Sequence, residues 1–253
     1  MPLRVKIRAV FILLTFLSVL LFLSYLSYLN RFFLLILIPF LILASILLYL
    51  FIPQIRMPGE IRIGKKGRVY LTFDDGPSEN WTPKILDILK EKGVKATFFV
   101  VGDKAKRCPD IVKRIVEEGH GIGNHTYTHR KLPFLSYRDV LDEIERCEEE
   151  IFRLTGRKSF LIRTPHGFRS LFLPFIRRKK GLKVIAWTKG VWDTDGPGER
   201  EIIKRIFRKV KDGEILLLHD GNEKAAPQVF SCLSEIIDGY KKRGFEFGKV
   251  EEI

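Results

Sequence analysis

The chain has 253 residues, 44 Lys/Arg against 30 Asp/Glu (net +14) and 46% hydrophobic residues. Residues 1–66 hold eight Lys/Arg and one Glu, so half of the excess flanks an apolar stretch and is no footprint of nucleic-acid binding. Cys108, Cys147 and Cys232 are odd in number, far apart and without CxxC spacing, which argues against a disulfide framework or a zinc knuckle.

Between Ala9 and Ile52 the only ionisable side chain besides tyrosine is Arg31. Ala9–Tyr28 and Phe32–Ile52 are each about the length that crosses a bilayer as helix. Asn30-Arg31 is the natural break, so residues 1–53 are expected to form a membrane anchor, a two-helix transmembrane hairpin over about 9–28 and 32–52. Pro39 is tolerable in the second span because neighbouring groups can satisfy the freed carbonyl. The run is too long for a signal-peptide core, and no small-residue cleavage site follows it. Arg4, Lys6 and Arg8 precede it and Arg56, Arg62, Lys65, Lys66 and Arg68 follow, against Arg31 alone in the turn. The positive-inside rule then gives a multi-pass protein with both ends in the cytoplasm. A single crossing with a re-entrant second segment would instead put the domain outside.

Residues 54–66 read as a linker and 67–253 as one domain, long enough for a substantial core. Within it, strand-like runs (Val69–Phe73, Ala96–Val101, Gly121–Asn124, Phe160–Arg163, Leu182–Trp187, Ile215–His219, Phe245–Val250) alternate with helix-like ones. The helical runs are Pro83–Lys92, Asp110–Glu118, Tyr137–Thr155, Ser170–Lys180, Arg200–Lys211 and Pro227–Arg243. Gly93, Gly119, Gly156, Gly181 and Gly244 stand just past five of them, as left-handed caps do. The alternation predicts an α/β fold on a parallel sheet, with functional groups gathered at the carboxyl ends of the strands.

Those ends carry chemistry. Asp74 and Asp75, adjacent and followed by Gly76-Pro77, point in different directions, so one can ligate a metal while the other stays free as a base. His125 and His129 can meet on one ion, either on a helical turn or across a tight loop; the Glu of an HExxH protease is absent, so a carboxylate must come from elsewhere, with Asp75 the obvious donor. Arg163 ends another strand, and a guanidinium beside a carboxylate orients it and favours its ionised form. His219, delivered by the apolar run Ile215–Leu218, suits a general acid.

TFDDG (72–76), HTYTH (125–129), RTPHG (163–167) and LLLHD (216–220), in this order, resemble the signatures of the polysaccharide deacetylase family, the NodB-homology domain of family-4 carbohydrate esterases. The resemblance covers about residues 67–253. It implies a distorted (β/α) barrel of about seven strands, and a metal-dependent hydrolase that removes the N-acyl group, acetyl above all, from an amino sugar in a glycan. Asp74 would be the base and Asp75, His125 and His129 the metal ligands. Arg163 would orient and tune Asp74, and His219 would be the acid. Leu216 and Leu218 would line the acyl pocket, with Pro165 and Trp187 also facing substrate.

In many members an Asp-Trp pair follows a strand-end Trp and its Asp supports the catalytic His. By spacing from Trp187, Asp193 takes the Asp position here and Thr194 replaces the Trp, with Asp195 a substitute. Zinc is the expected metal, and cobalt, nickel or manganese would also fit. A cytoplasmic domain would favour a polyprenyl-linked amino sugar over a polymer; an inert carbohydrate-binding member of the fold is the remaining alternative.

Overall fold

The computed structural model describes residues 14–25, 32–53, 55 and 57–253, which fall into two compact units dividing between Ile55 and Arg56. In the first unit, α1 (Leu14–Tyr25) is a short apolar helix and α2 (Phe32–Phe51) a longer one containing Pro39. Only α2, through Leu34–Phe51 with mean hydropathy 2.9, is long and apolar enough among the described residues to cross a membrane. Both ends of the expected first span and its Asn30-Arg31 turn lie outside the described residues.

The second unit is built on β1 (Arg68–Asp74), whose side chains alternate between two environments. Val69, Leu71 and Phe73 enter the large core between the sheet and its helices, while Tyr70 joins Phe99, Leu161, Ile185, Ile215 and Val250 in a second cluster on the opposite face. Thr72 and Asp74 share the face of Tyr70 by the same period of two. Around β1 stand β2 (Thr97–Val100), β3 (Gly121–Asn124), β4 (Leu161–Ile162), β5 (Lys183–Val184), β6 (Lys189–Gly190), β7 (Glu214–His219) and β8 (Glu246–Phe247). All pair in parallel, in the order β5-β4-β3-β2-β1-β7-β6, with β8 beside the start of β1. The seven-strand path agrees with the expected number. No strand pairing among the described residues joins β5 to β6, so the sheet is a curled half-barrel.

The segment expected as a linker bears on that opening. Ile61 N donates to Val184 O, Ala186 N to Ile61 O and Gly64 N to Gly213 O, each within 2.9 Å, so residues 61–64 lie between the end of β5 and the start of β7. Met57 and Glu60 are buried.

The crossovers are α3 (Thr82–Glu91), α4 (Gly102–Arg107), α5 (Pro109–Glu117), α6 (Tyr137–Thr155), α7 (Leu173–Lys180), α8 (Glu199–Phe207) and α9 (Ala226–Lys241). The five glycines expected as caps all have φ between 64° and 80°. The sequence pattern does not reveal α4, because six residues reading GDKAKR carry no apolar stripe.

Candidate active site

At the carboxyl end of β1, Asp74 points into the mouth of the half-barrel and is 3% exposed. Arg163, one residue past β4, reaches across to it. Its Nη1 donates to Asp74 Oδ1 and to Thr72 Oγ1, both at 2.7 Å. Nε and Nη2 donate to the carbonyls of Ile185 and Ala186, and the guanidinium lies 4.2 Å from the Phe99 ring centre. All three guanidinium nitrogens are engaged, so the cation is held in place against the Asp74 oxygen that it meets.

Asp75 follows in the left-handed region (φ 69°), which turns its carboxylate out of the strand direction. Its Oδ1 lies 3.4 Å from His125 Nε2 and 3.0 Å from His129 Nε2. The two histidines meet across a loop with Thr126 and His129 at positive φ. His125 Nδ1 is 2.8 Å from the Arg163 carbonyl, which can only accept; Nδ1 therefore carries a proton, which leaves Nε2 as the ring nitrogen available to an ion. Burial pushes the Asp75 carboxyl up, but His125 and His129 outweigh it and hold it well below the usual range. His129 Nε2 is buried without a hydrogen bond, although Asp75 stands close by. One atom each of Asp75, His125 and His129 that could ligate an ion lies within 4.8 Å of the others. An orphaned imidazole nitrogen, a second one available to an ion and an ionised carboxylate fit a divalent cation with borderline-soft preference.

His219 ends β7. Its Nδ1 meets Asp193 Oδ1 at 2.9 Å, and its backbone N–H donates to Asp193 Oδ2 at 2.9 Å. Burial alone would lower its pKa, but the Asp193 carboxylate raises it to about 9. Asp193 sits in a short 3-10 turn entered through Trp192 in the left-handed region and is 1% exposed; Asp195, the substitute, is exposed.

The structure thus brings Asp74, Asp75, His125, His129, Arg163, Asp193 and His219 together. It does not bring Leu216 and Leu218, which pair in register with Leu71 and Phe73 and are fully buried with them in the sheet–helix core. Leu217, register partner of Thr72, is the residue between them that shares the face of His219. Trp187 Nε1 and Leu217 Cδ2 both approach Gly190, at 3.1 and 4.0 Å from where a Cβ would stand. Pro165 is buried in the 3-10 turn after Arg163, and His120 lies before β3, at the far end of the sheet.

Two further residues contribute: Glu143 carries no sequence signal, whereas His166 stands within the RTPHG motif. Glu143, buried in mid-α6, accepts from Tyr127 N (3.0 Å), Thr128 N (2.8 Å) and the Thr128 hydroxyl, and so holds the loop between the two histidines. His166, at φ 57°, packs its ring 4.8 Å from His129 and 5.5 Å from Phe168 at the rim; burial, then the neighbouring His129, lower its pKa to about 4.

Residues 62–185 match the family model described as polysaccharide deacetylase. Among curated proteins, the chain is 37% identical over 187 residues to a chitooligosaccharide deacetylase of Sinorhizobium fredii, covering 70% of this chain and 87% of that one. It is 32% identical over 200 residues to the peptidoglycan-N-acetylglucosamine deacetylase PgdA of Listeria monocytogenes, covering 79% of this chain but spanning only 41% of the relative. Among solved structures, the Bc1960 peptidoglycan N-acetylglucosamine deacetylase superposes with a TM-score of 0.73 at 34% identity, over 76% of this chain and 90% of that one.

Proposed function

The chain belongs to the polysaccharide deacetylase family, and on that premise we propose that it is a metal-dependent hydrolase removing the N-acetyl group from an amino sugar in a glycan. One observation carries this reading: the trio of Asp75, His125 and His129 lies beside a carboxylate, Asp74, that is pinned by Arg163 and left out of the trio. His125 Nε2 stands 3.8 Å from Asp74 Oδ2.

Asp75, His125 and His129 would hold the cation, zinc by the character of the donors. When bound, it supplies Lewis-acid polarisation of the amide carbonyl and makes a water molecule more acidic. Asp74 removes the proton from the attacking water. Arg163 keeps the carboxyl group aimed through this step. His219, protonated at neutral pH and oriented by Asp193, then donates its proton to the departing amine nitrogen from Nε2. Leu217 and Trp187 form the wall against which the acetyl methyl rests.

The N-terminal segment is proposed to anchor the domain to the bilayer as a two-helix hairpin, with the domain in the cytoplasm by its flanking charges. In that orientation a polyprenyl-linked amino sugar is within reach and a wall polymer is not. Protease protection in intact cells tests this, since digestion of the domain from outside assigns it to a polymer.

The activity itself is tested on full-length protein in detergent, stripped with chelator and reloaded with zinc. Acetate release from N-acetylglucosamine oligomers or peptidoglycan is expected. Zinc-loaded protein that frees no acetate from these or from a lipid-linked N-acetylated sugar sinks the reading.

A further inference from the structure

Lys104 lies in α4, outside all four sequence motifs. Its Nζ donates to the main-chain carbonyl of Asp75 at 2.8 Å and to that of Gly221 at 2.8 Å. These carbonyls belong to the two loops that carry the chemistry. Asp75 is in the ligand trio and adjoins the base Asp74, while Gly221 is two residues beyond the acid His219.

The loops are in backbone contact. A Cβ on Gly221 would stand 1.9 Å from the Asp75 carbonyl oxygen, and Asp220 N and Gly221 N approach Asp74 O at 3.2 and 3.4 Å. The buried Asp220 carboxyl accepts from Thr82 Oγ1 at 2.5 Å and fills the space where a Cβ on Gly76 would fall. Two carbonyl oxygens converging on one point repel unless a donor stands between them, and a single ammonium has hydrogens for both. Asp75 occupies a backbone region that a residue with a side chain holds only when its surroundings enforce it. The direction of its carboxylate follows the orientation of that peptide.

We propose that Lys104 is a positioning residue that clasps the metal-ligand loop to the acid loop, fixing Asp75 in its ligating direction and the base and acid in register. The inference rests on the metal-dependent reading of the site above.

The test is calorimetric titration of zinc into chelator-treated full-length protein, alongside kcat and KM at saturating zinc. Lys104→Met, which keeps the length and removes the cation, is expected to weaken zinc binding about 10–100-fold, the range for partners that orient a ligand. Its kcat is expected to fall with KM unchanged. Lys104→Arg, with a cation in reach of both carbonyls, is expected to restore most of both. A Lys104→Met protein that melts lower but binds zinc and turns over like wild type overturns the clasp, as does an equal loss in the Met and Arg variants. Should Lys104→Met not fold, Lys104→Gln against Lys104→Arg repeats the comparison. Wild-type protein that binds no zinc overturns the metal-dependent reading and the clasp together, whereas normal wild-type binding matched by the variant overturns the clasp alone.

Discussion

Asp74 and His219 are register partners on β1 and β7, the last pair of a six-residue parallel ladder. Their separation is therefore set by backbone hydrogen bonds, at the ~4.8 Å spacing of adjacent strands, before any side chain packs. Each is then held from its outer side by a partner of opposite charge, Asp74 by Arg163 and His219 by Asp193. Under the proposed mechanism, the base and the acid would thus face one reacting centre from neighbouring strands.

Asp74→Asn tests the base. The amide oxygen can still accept from Arg163 Nη1, so the site keeps its shape, but the group can no longer take a proton. Turnover is expected to fall about 10²–10⁴-fold. Zinc content, measured by atomic emission after dialysis, should stay at the wild-type level because Asp74 lies outside the ligand trio. A variant that retains most of its turnover removes Asp74 from the role.

Asp193→Asn tests the acid through pH. His219 is raised to about 9 because the Asp193 carboxylate outweighs burial. With that charge gone, burial dominates and the pKa drops. An acid must carry its proton to act, so the alkaline limb of kcat should move to lower pH, and the loss of rate should grow as pH rises from 6 to about 9. An unmoved limb with a uniformly lower rate would mean that Asp193 serves only to shape the turn.

His129→Ala separates ligation from acid–base work. Its Nε2 is one of the three atoms that would hold the metal and is buried without a hydrogen bond. The variant is expected to lose zinc on dialysis and to recover activity only with excess added metal. His219→Ala, by contrast, should keep its zinc and lose turnover. If both variants retain metal equally, the division of roles fails.

Glu143→Ala removes the acceptor shared by two backbone N–H groups and the Thr128 hydroxyl. Leaving those donors unmet costs about 3 kcal/mol, or roughly 6–12 °C in Tm for a domain of this size. Because the released loop carries His125 and His129, zinc affinity should also fall about 10-fold or more. Calorimetry with and without zinc reads both effects. A variant that melts at the wild-type temperature denies the loop this anchor.

What could be read from the chain were the groups standing at strand ends: Asp74, His125, Arg163 and His219 are announced by the apolar runs that deliver them and by the turns that follow. Their helpers were illegible for reasons of geometry. Glu143 is one acid among many on α6, and only the fold shows that it turns inward under the histidine loop. Lys104 is one of 44 basic residues, placed by a helix too short to carry a periodic signal. The pairing of Ile61 and Ile63, in the stretch read as a linker, was equally illegible, because isolated bridges leave no strand-length pattern.

Leu217 tests the one place where motif and geometry part. The motif directs attention to Leu216 and Leu218, but their register with Leu71 and Phe73 turns both into the core beneath the helices. Leu216→Ala should therefore act on stability, costing about 2–5 kcal/mol, while the folded fraction keeps its selectivity. Leu217→Ala removes side-chain volume from the face that bears Thr72 and His219, opposite Trp187 across Gly190. It is expected to leave Tm nearly unchanged and to shift preference from acetyl toward propionyl or butyryl amides, by about 10-fold or more for a methylene-sized change in an apolar pocket. Competition assays with N-acetyl and N-butyryl glucosamine oligomers measure this. Should Leu218→Ala rather than Leu217→Ala change the acyl preference, the register argument for the pocket is wrong.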